Sequence, residues 1–388
     1  MFGSSYFWIV IAAAAVVMRV VPARMVRIRS LFLCFASCGL LVGPLGLAPS
    51  LLALVCACVA WIVVGVRLTG ALAKRSTALA SFAVFSPILI LWVVGKAAVA
   101  AQSKTVSFLY FVGFSYLVVK AWTFVKDVHD GRIRGADPTV VAAYFLFAPT
   151  YVSGPMHLFS EFDAAVRQPK RLTVSALVDG TFRVAIGFAK TKLLGPLLAP
   201  ASLLGLHGAE VGPMKLVVAS MVYSVVLWAD FSGYSDIAIG SARLAGVETP
   251  ENFRWPYAAP NIREFWQRWH ITFSRVLTSY VFVPVARALQ GRLGARPRLV
   301  AVLAYLVTFL FCGYWHGATL NFVLWGLYHG VGMIGYDLLK ADPKKLKRLS
   351  PRHKRARSLV MAFCTFVFVS IGWVLFVLPY REIVEVLR

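Results

Sequence analysis

The chain has 388 residues, 59% hydrophobic and only 14% charged, with a mean hydropathy of +0.74. Soluble domains are about 45–50% apolar and roughly 25% charged, so this composition excludes a soluble globular enzyme, a disordered chain and a disulfide-rich secreted module. The net charge of +24 sits in short loops between apolar runs, which reads as positive-inside topology and contact with anionic membrane lipid, not as nucleic-acid binding.

The expected fold is all-α and polytopic, with room for roughly ten transmembrane or re-entrant helices at about 20 apolar residues per span. Tyr6–Val21 lacks a preceding basic region and a following small-residue cleavage site, and is read as the first span. Arg19, Arg24, Arg27 and Arg29 place the next loop in the cytoplasm. Leu31–Ala48 and Leu51–Val66 follow, separated at Pro49 by an uncharged tip. Arg67, Lys74 and Arg75 mark the cytoplasm again. Further apolar segments cover Ala78–Ala101 and Val106–Val125. Val140–Gly154 contains Pro149 and ends in Ser153-Gly154-Pro155, so it is expected to be broken or re-entrant.

Leu177–Leu198 carries Asp179, Arg183, Lys190 and Lys192 and is not expected to face lipid all round. Leu216–Ala229 is cleanly apolar, and Asp230 and Asp236 follow in a small-residue stretch. Leu299–Trp315 and Phe322–Leu339 form an up-and-down pair whose turn is Trp315-His316-Gly317-Ala318. The arginines at 287, 292, 296 and 298 and the strongly basic loop Lys340–Arg357 put the opposite ends of this pair in the cytoplasm. Leu359–Leu378 is the last span. The organisation expected is one membrane domain: N-terminal helices 1–105, a core 106–339, the basic loop 340–357 and a C-terminal helix 358–388.

His316 is the sharpest chemical signal. Ionisable residues inside spans are rare and usually face an interior cavity. Burial disfavours imidazolium, which leaves a neutral ring able to accept a proton. Gly317 and Ala318 beside it leave room for a substrate chain. The second signal is Asn261-Ile-Arg-Glu-Phe-Trp-Gln-Arg-Trp-His270. Asn261 is placed to cap a helix with Glu264 three residues on, and Glu264 and Arg268 are an i,i+4 pair. Ile262, Phe265, Trp266, Trp269 and Phe273 make one apolar-aromatic face, which by itself reads as an interfacial anchor, with His270 at its edge.

His329, in Tyr328-His329-Gly330, is read as structural, and His129, His207 and His353 as loop residues. The six cysteines form no CxxC and no zinc-like spacing, and no acidic metal cluster is present, so no metal is expected. There is no GxSxG elbow, phosphate loop or dinucleotide fingerprint.

Together the runs Asp230–Gly240, Thr249-Pro-Glu-Asn-Phe253, Asn261–Ser274, Trp315-His316-Gly317 and Leu324–Gly330 resemble the membrane-bound O-acyltransferases, in their bacterial branch of alginate O-acetyltransferases and teichoic-acid D-alanyl transfer proteins. A weaker likeness covers Val112–Pro155. The resemblance implies a helical funnel or tunnel and acyl transfer to a hydroxyl. It makes His316 the main catalytic histidine and His270 the second, and it draws Asn252, Asn261, Trp266, Trp269 and Trp315 toward substrate. It implies an acyl-CoA or acyl-carrier-protein thioester as donor and an extracytoplasmic envelope glycan as acceptor. A separate extracytoplasmic acyltransferase or carrier protein is a candidate partner, and the bacterial cytoplasmic membrane is the expected location. Acetyl is the first choice of acyl group and D-alanyl the alternative. Two departures bear on acceptor and partner contacts: Leu277-Thr278-Ser279-Tyr280 after the histidine helix, and Met156-His157 after Gly154-Pro155. The competing classes are a proton-coupled transporter, disfavoured by the lack of an internal repeat, and a polysaccharide-export scaffold.

Overall fold

In hydrocarbon every backbone N–H and C=O must be satisfied within its own segment, and long apolar runs meet that demand by coiling into helices. The computed structural model describes residues 1–72, 77–102, 113–171, 173–206, 212–294, 296–339, 350–379 and 382–383. Lys74, Arg75, His207, the start of the Val106–Val125 segment and residues 340–349 of the basic loop lie outside them. Among the described residues six helices are long and apolar enough to cross a membrane: Ala23–Val42, Pro49–Leu68, Leu79–Ala100, Pro213–Ala245, Pro297–His316 and Pro351–Val377.

The chain divides into two compact units, Met1–Phe188 with Tyr234–Pro250, and Ala189–Gly233 with Glu251–Arg388. The first unit begins with α1 (Ser5–Val20), α2 (Val26–Val42), α3 (Pro49–Leu72), α4 (Thr77–Ala100) and α5 (Phe114–His129). The broken segment expected near Pro149 is found as α6 (Pro138–Leu146) and the single turn α7 (Ala148–Tyr151), separated at Phe147. Asp137 caps α6 by accepting the Thr139 backbone N–H at 2.9 Å. Residues 140–151 of this segment are almost all buried, so its break lies in protein and not in lipid. It is followed by α8 (Phe159–Arg167) and α9 (Val174–Ala189). One charge of the Leu177–Leu198 region is paired within the unit: Arg183 Nε donates to Asp236 Oδ1 at 3.0 Å. Just past α9, a π-helical turn at Lys190–Leu194 leads into α10 (Gly195–Leu198).

The apolar run 216–229 is part of a longer helix: α11 (Pro213–Ala245) has 33 residues and carries Asp230 and Asp236 along it. The first aspartate lies on an exposed face and the second in the ion pair with Arg183, so neither breaks the helix.

The second unit holds α12 (Ile262–Arg268), α13 (Ile271–Val276), α14 (Val283–Leu293), α15 (Pro297–His316), α16 (Leu320–Leu339) and α17 (Pro351–Val377). A π-helical turn, Leu277–Phe282, joins α13 to α14. The α15–α16 pair packs backbone against backbone. A Cβ added at Gly313 would lie 2.1 Å from the Phe322 carbonyl oxygen, and one at Gly326 would lie 2.3 Å from that of Phe309. Small residues at a crossing let two helices approach this closely.

Candidate active site

The histidine motif is not one continuous helix. Asn261 opens α12 as its N-cap: Oδ1 accepts the Glu264 N–H at 2.9 Å, and Nδ2 donates to Glu264 Oε1 at 3.0 Å. Glu264 Oε2 in turn accepts Arg268 Nη2 at 2.6 Å, the i,i+4 pair expected. The helix ends at Arg268. Trp269 is extended, and His270 has φ 43° and ψ 51°, a left-handed conformation rare for a residue with a side chain. The bend is held from the side by residues 252–254. The Arg254 N–H donates to the Arg268 carbonyl at 2.9 Å, and the Ile271 N–H donates to the Asn252 carbonyl at 2.8 Å.

The aromatic face of this motif is not an interfacial anchor, which corrects the reading of the helix alone. Phe265, Trp266, Trp269 and Phe273 are all buried in the unit. Trp269 stacks on Phe265 at 5.7 Å and 16° and leans on Trp373 at 5.5 Å. Periodicity identified the face but gave no means of telling a lipid surface from a protein one.

His270 is 2% exposed. Its ring meets Phe231 edge-on at 4.7 Å and lies 5.1 Å from Phe273 and 6.4 Å from Trp315. Its Nδ1 sits 3.1 Å from Asn252 Oδ1. Burial, and after it the charge of His316, holds this imidazole well below its usual 6.5, so it is neutral at neutral pH.

His316 is the last residue of α15 and half-buried. Its ring meets Trp315 at 4.8 Å, Trp325 at 5.1 Å and Phe376 at 5.1 Å, and is stacked on Phe322. Trp315 therefore lies between the two histidines, and it packs at 4.3 Å on Phe273 of α13. Two motifs far apart in the chain converge on one indole.

Of the residues drawn toward substrate, Trp266, Trp269 and Trp315 are all buried; Trp315 meets both histidines, Trp269 precedes His270 in the chain and packs on Phe265 and Trp373, and Trp266 meets His329. Asn252 is 0% exposed and bonded to the His270 motif, and Asn261 serves as a helix cap. His329 lies closer to this chemistry than a purely local reading suggests. Its ring is 4.7 Å from Trp325 and 5.3 Å from Trp266, is fully buried, and finds no hydrogen-bond partner among the described residues. The repeated aromatic-His-Gly pattern was the available signal.

A cavity of about 540 Å³ opens beside the motif. Trp266, Ile271, Ser274 and Phe309 form part of its wall, and Arg263, Arg275, Thr278 and Ser279 give it polar groups. It reaches Ile271, the residue after His270. Arg263 is fixed there by donating to Asp337 Oδ1 at 2.6 Å and to the Tyr305 hydroxyl at 2.8 Å, while that hydroxyl donates to Asp337 Oδ2 at 2.9 Å. Neither arginine was singled out in the sequence, where each reads as an ordinary helix charge.

The chemistry such a site supports is proton transfer by neutral imidazole in a water-poor aromatic surround. The profile of the membrane-bound O-acyltransferase family matches residues 209–376. The teichoic acid D-alanyltransferase of Bacillus subtilis is 30% identical over 274 residues, covering 69% of this chain and 68% of that protein. The probable alginate O-acetylase of Azotobacter vinelandii is 31% identical, covering 68% of this chain and 50% of its own length. The peptidoglycan O-acetyltransferase of Helicobacter pylori is 31% identical, covering 61% and 43%. Two histidines converging on Trp315, on a helical membrane scaffold with these relatives, identify the chain as a member of the membrane-bound O-acyltransferase family, an integral membrane enzyme that transfers acyl groups.

Proposed function

We propose that this enzyme transfers an acyl group, acetyl in the first place, from a pantetheine thioester to a hydroxyl of an extracytoplasmic envelope glycan, in the cytoplasmic membrane of a bacterium. The observation that carries the reading is the meeting of His270 and His316 at Trp315. His316 acts as general base. It takes the proton of the acceptor hydroxyl as that oxygen attacks the thioester carbonyl. The tetrahedral intermediate then collapses, the C–S bond breaks, and the proton passes from the imidazolium to the departing sulfur. A positioned base of this kind contributes about 10²–10⁴-fold, and alignment of the two substrates supplies much of the rest.

The cavity beside the motif is the place for the donor arm. Acyl-CoA and acyl-carrier-protein thioesters share a pantetheine and a phosphate ester; Arg275 is the cation proposed for the phosphate, with Arg263, paired to Asp337, giving further N–H donors. The acceptor reading draws on relatives whose names specify alginate, peptidoglycan and teichoic acid. Transfer through a separate extracytoplasmic acyltransferase is the route if the polymer itself does not reach His316. D-alanyl transfer is the second reading, favoured by one fact: the match to the teichoic acid D-alanyltransferase covers 68% of that protein, against 50% for the alginate O-acetylase.

The test is mild alkaline release of ester-linked groups from envelope glycans of cells carrying the intact protein, a deletion, or His316→Ala. Acetate lost in both altered strains supports the first reading. D-alanine lost in both moves the assignment to the second. Release unchanged in both contradicts a glycan acceptor. Supplying purified protein with the acyl group on CoA or on a carrier protein separates the two donors.

A further inference from the structure

Asn252 is fully buried and bonds to the His270 motif through both its side chain and its backbone. Its Oδ1 lies 2.8 Å from Thr272 Oγ1, 3.4 Å from the Thr272 backbone N and 3.1 Å from His270 Nδ1. A backbone N–H can only donate, so the amide atom facing it is the oxygen, and the Thr272 hydroxyl donates to the same atom. An amide oxygen can only accept. The ring nitrogen that faces it must then carry a hydrogen.

We infer that Asn252 is a positioning residue that locks His270 as the Nδ1–H tautomer and so leaves Nε2 as a hydrogen-bond acceptor. The ring nitrogen that bears the proton is set by the bond the other nitrogen's neighbour demands. Asn252 also fixes the ring's height and angle, because its own carbonyl accepts the Ile271 N–H at 2.8 Å and holds the left-handed bend at His270. A residue held at φ 43° persists only where its surroundings over-determine it.

The consequence is chemical. A neutral His270 of this tautomer does not stabilise an oxyanion through Nε2, since it has no hydrogen there. At that nitrogen it can only accept a hydrogen bond. Of the two roles open to a second histidine, orienting a donor group or cradling the oxyanion, the hydrogen-bond geometry selects the first. This inference rests on the proposed acyl-transfer reading for its meaning, but the tautomer itself does not.

The experiment is ¹⁵N NMR of histidine-labelled full-length protein in lipid nanodiscs, with the His270 signals assigned by their loss in His270→Gln. The wild type should show a protonated Nδ1 and a lone-pair Nε2. In Asn252→Ala that signature should be lost, and kcat should fall by about tenfold or more, the scale on which removing an orienting partner acts, with KM for donor and acceptor nearly unchanged. Asn252→Asp keeps an acceptor oxygen in place and should retain the Nδ1–H signal and recover much of kcat. A wild-type spectrum with the hydrogen on Nε2 overturns the inference, as does an Asn252→Ala protein that is folded and keeps the wild-type tautomer. The wild-type spectrum decides even if Asn252→Ala does not fold. Full activity in His270→Gln, with the expected tautomer in the wild type, would leave the lock standing and remove His270 from the reaction.

Discussion

The ring of Phe322 lies against the imidazole of His316, centroids 6.3 Å apart and planes 21° from parallel, in space that exists only because residue 317 is glycine. A Cβ at Gly317 would fall 2.1 Å from Phe322 Cδ2. The backbone of Gly317 is extended, at φ −165°, so no left-handed conformation is involved; the glycine is there for the ring. Gly317→Ala should therefore push Phe322 off His316 and lower kcat by about tenfold or more, while Gly317→Ala with Phe322→Leu should regain part of the loss, because contacting residues are not additive. Equal activity of the single and double variants in a transfer assay would show that the ring does not position the histidine.

The glycines of the α15–α16 crossing carry a different prediction. With carbonyl oxygens 2.1 and 2.3 Å from where a Cβ would sit at Gly313 and Gly326, alanine at either position must part the helices. Overpacking costs about 1–3 kcal/mol and sometimes more. Thermal unfolding in detergent should show a lower Tm for Gly313→Ala and for Gly326→Ala, whereas Gly335→Ala, where nothing lies within 4 Å of an added Cβ, should be neutral or slightly stabilising.

These crossings show what a sequence conveys. Hydropathy located α15 and α16 closely, and the turn carrying His316 fell where expected, because an apolar run in a membrane has few alternatives to a helix. The Asn261 cap was legible from residue type and spacing. The break at Trp269 and His270 was not. The apolar period continues through it, and the force that bends it comes from Asn252 and Arg254, in a segment that no local pattern ties to the motif. The pairing of Asp236 with Arg183 on α9 was not legible, because the two lie 53 residues apart and no local pattern joins them. The cavity wall was missed because Arg263 and Arg275 acquire their setting only from helices that pack later in the chain.

With the donor arm in the cavity as proposed, Arg275 is the residue whose loss should separate donor binding from chemistry. It lies on the cavity wall five residues past His270. A hydrogen bond to a charged group is worth about 1.5–3 kcal/mol, so Arg275→Gln should raise KM for the thioester by about tenfold or more with kcat little changed. Competition by desulfo or dephospho forms of the donor arm gives a second measure: the variant should lose its preference for the phosphorylated arm. An unchanged KM would place the donor elsewhere.

His270 makes stability depend on pH with a defined sign. Its folded value lies below 6.5, by burial first and His316 second. The unfolded chain therefore binds more protons than the folded one once the pH falls below about 6.5. The contribution of this group is complete above that pH and is lost as the pH falls toward the folded value. Between pH 7 and pH 5 the wild type should lose Tm more steeply than His270→Gln. Parallel curves for the two proteins would mean that His270 titrates in the fold as it does in the unfolded chain.

The central claim, acyl transfer from a thioester with His316 as base, is tested most directly by purified protein in lipid vesicles, supplied with a labelled acyl thioester and a hydroxyl acceptor. The wild type should form the labelled ester, and His316→Ala, folded and inserted in equal amount, should form it at a rate lower by about 10²–10⁴-fold. An His316→Ala protein that transfers the acyl group at the wild-type rate would contradict the assignment of the base.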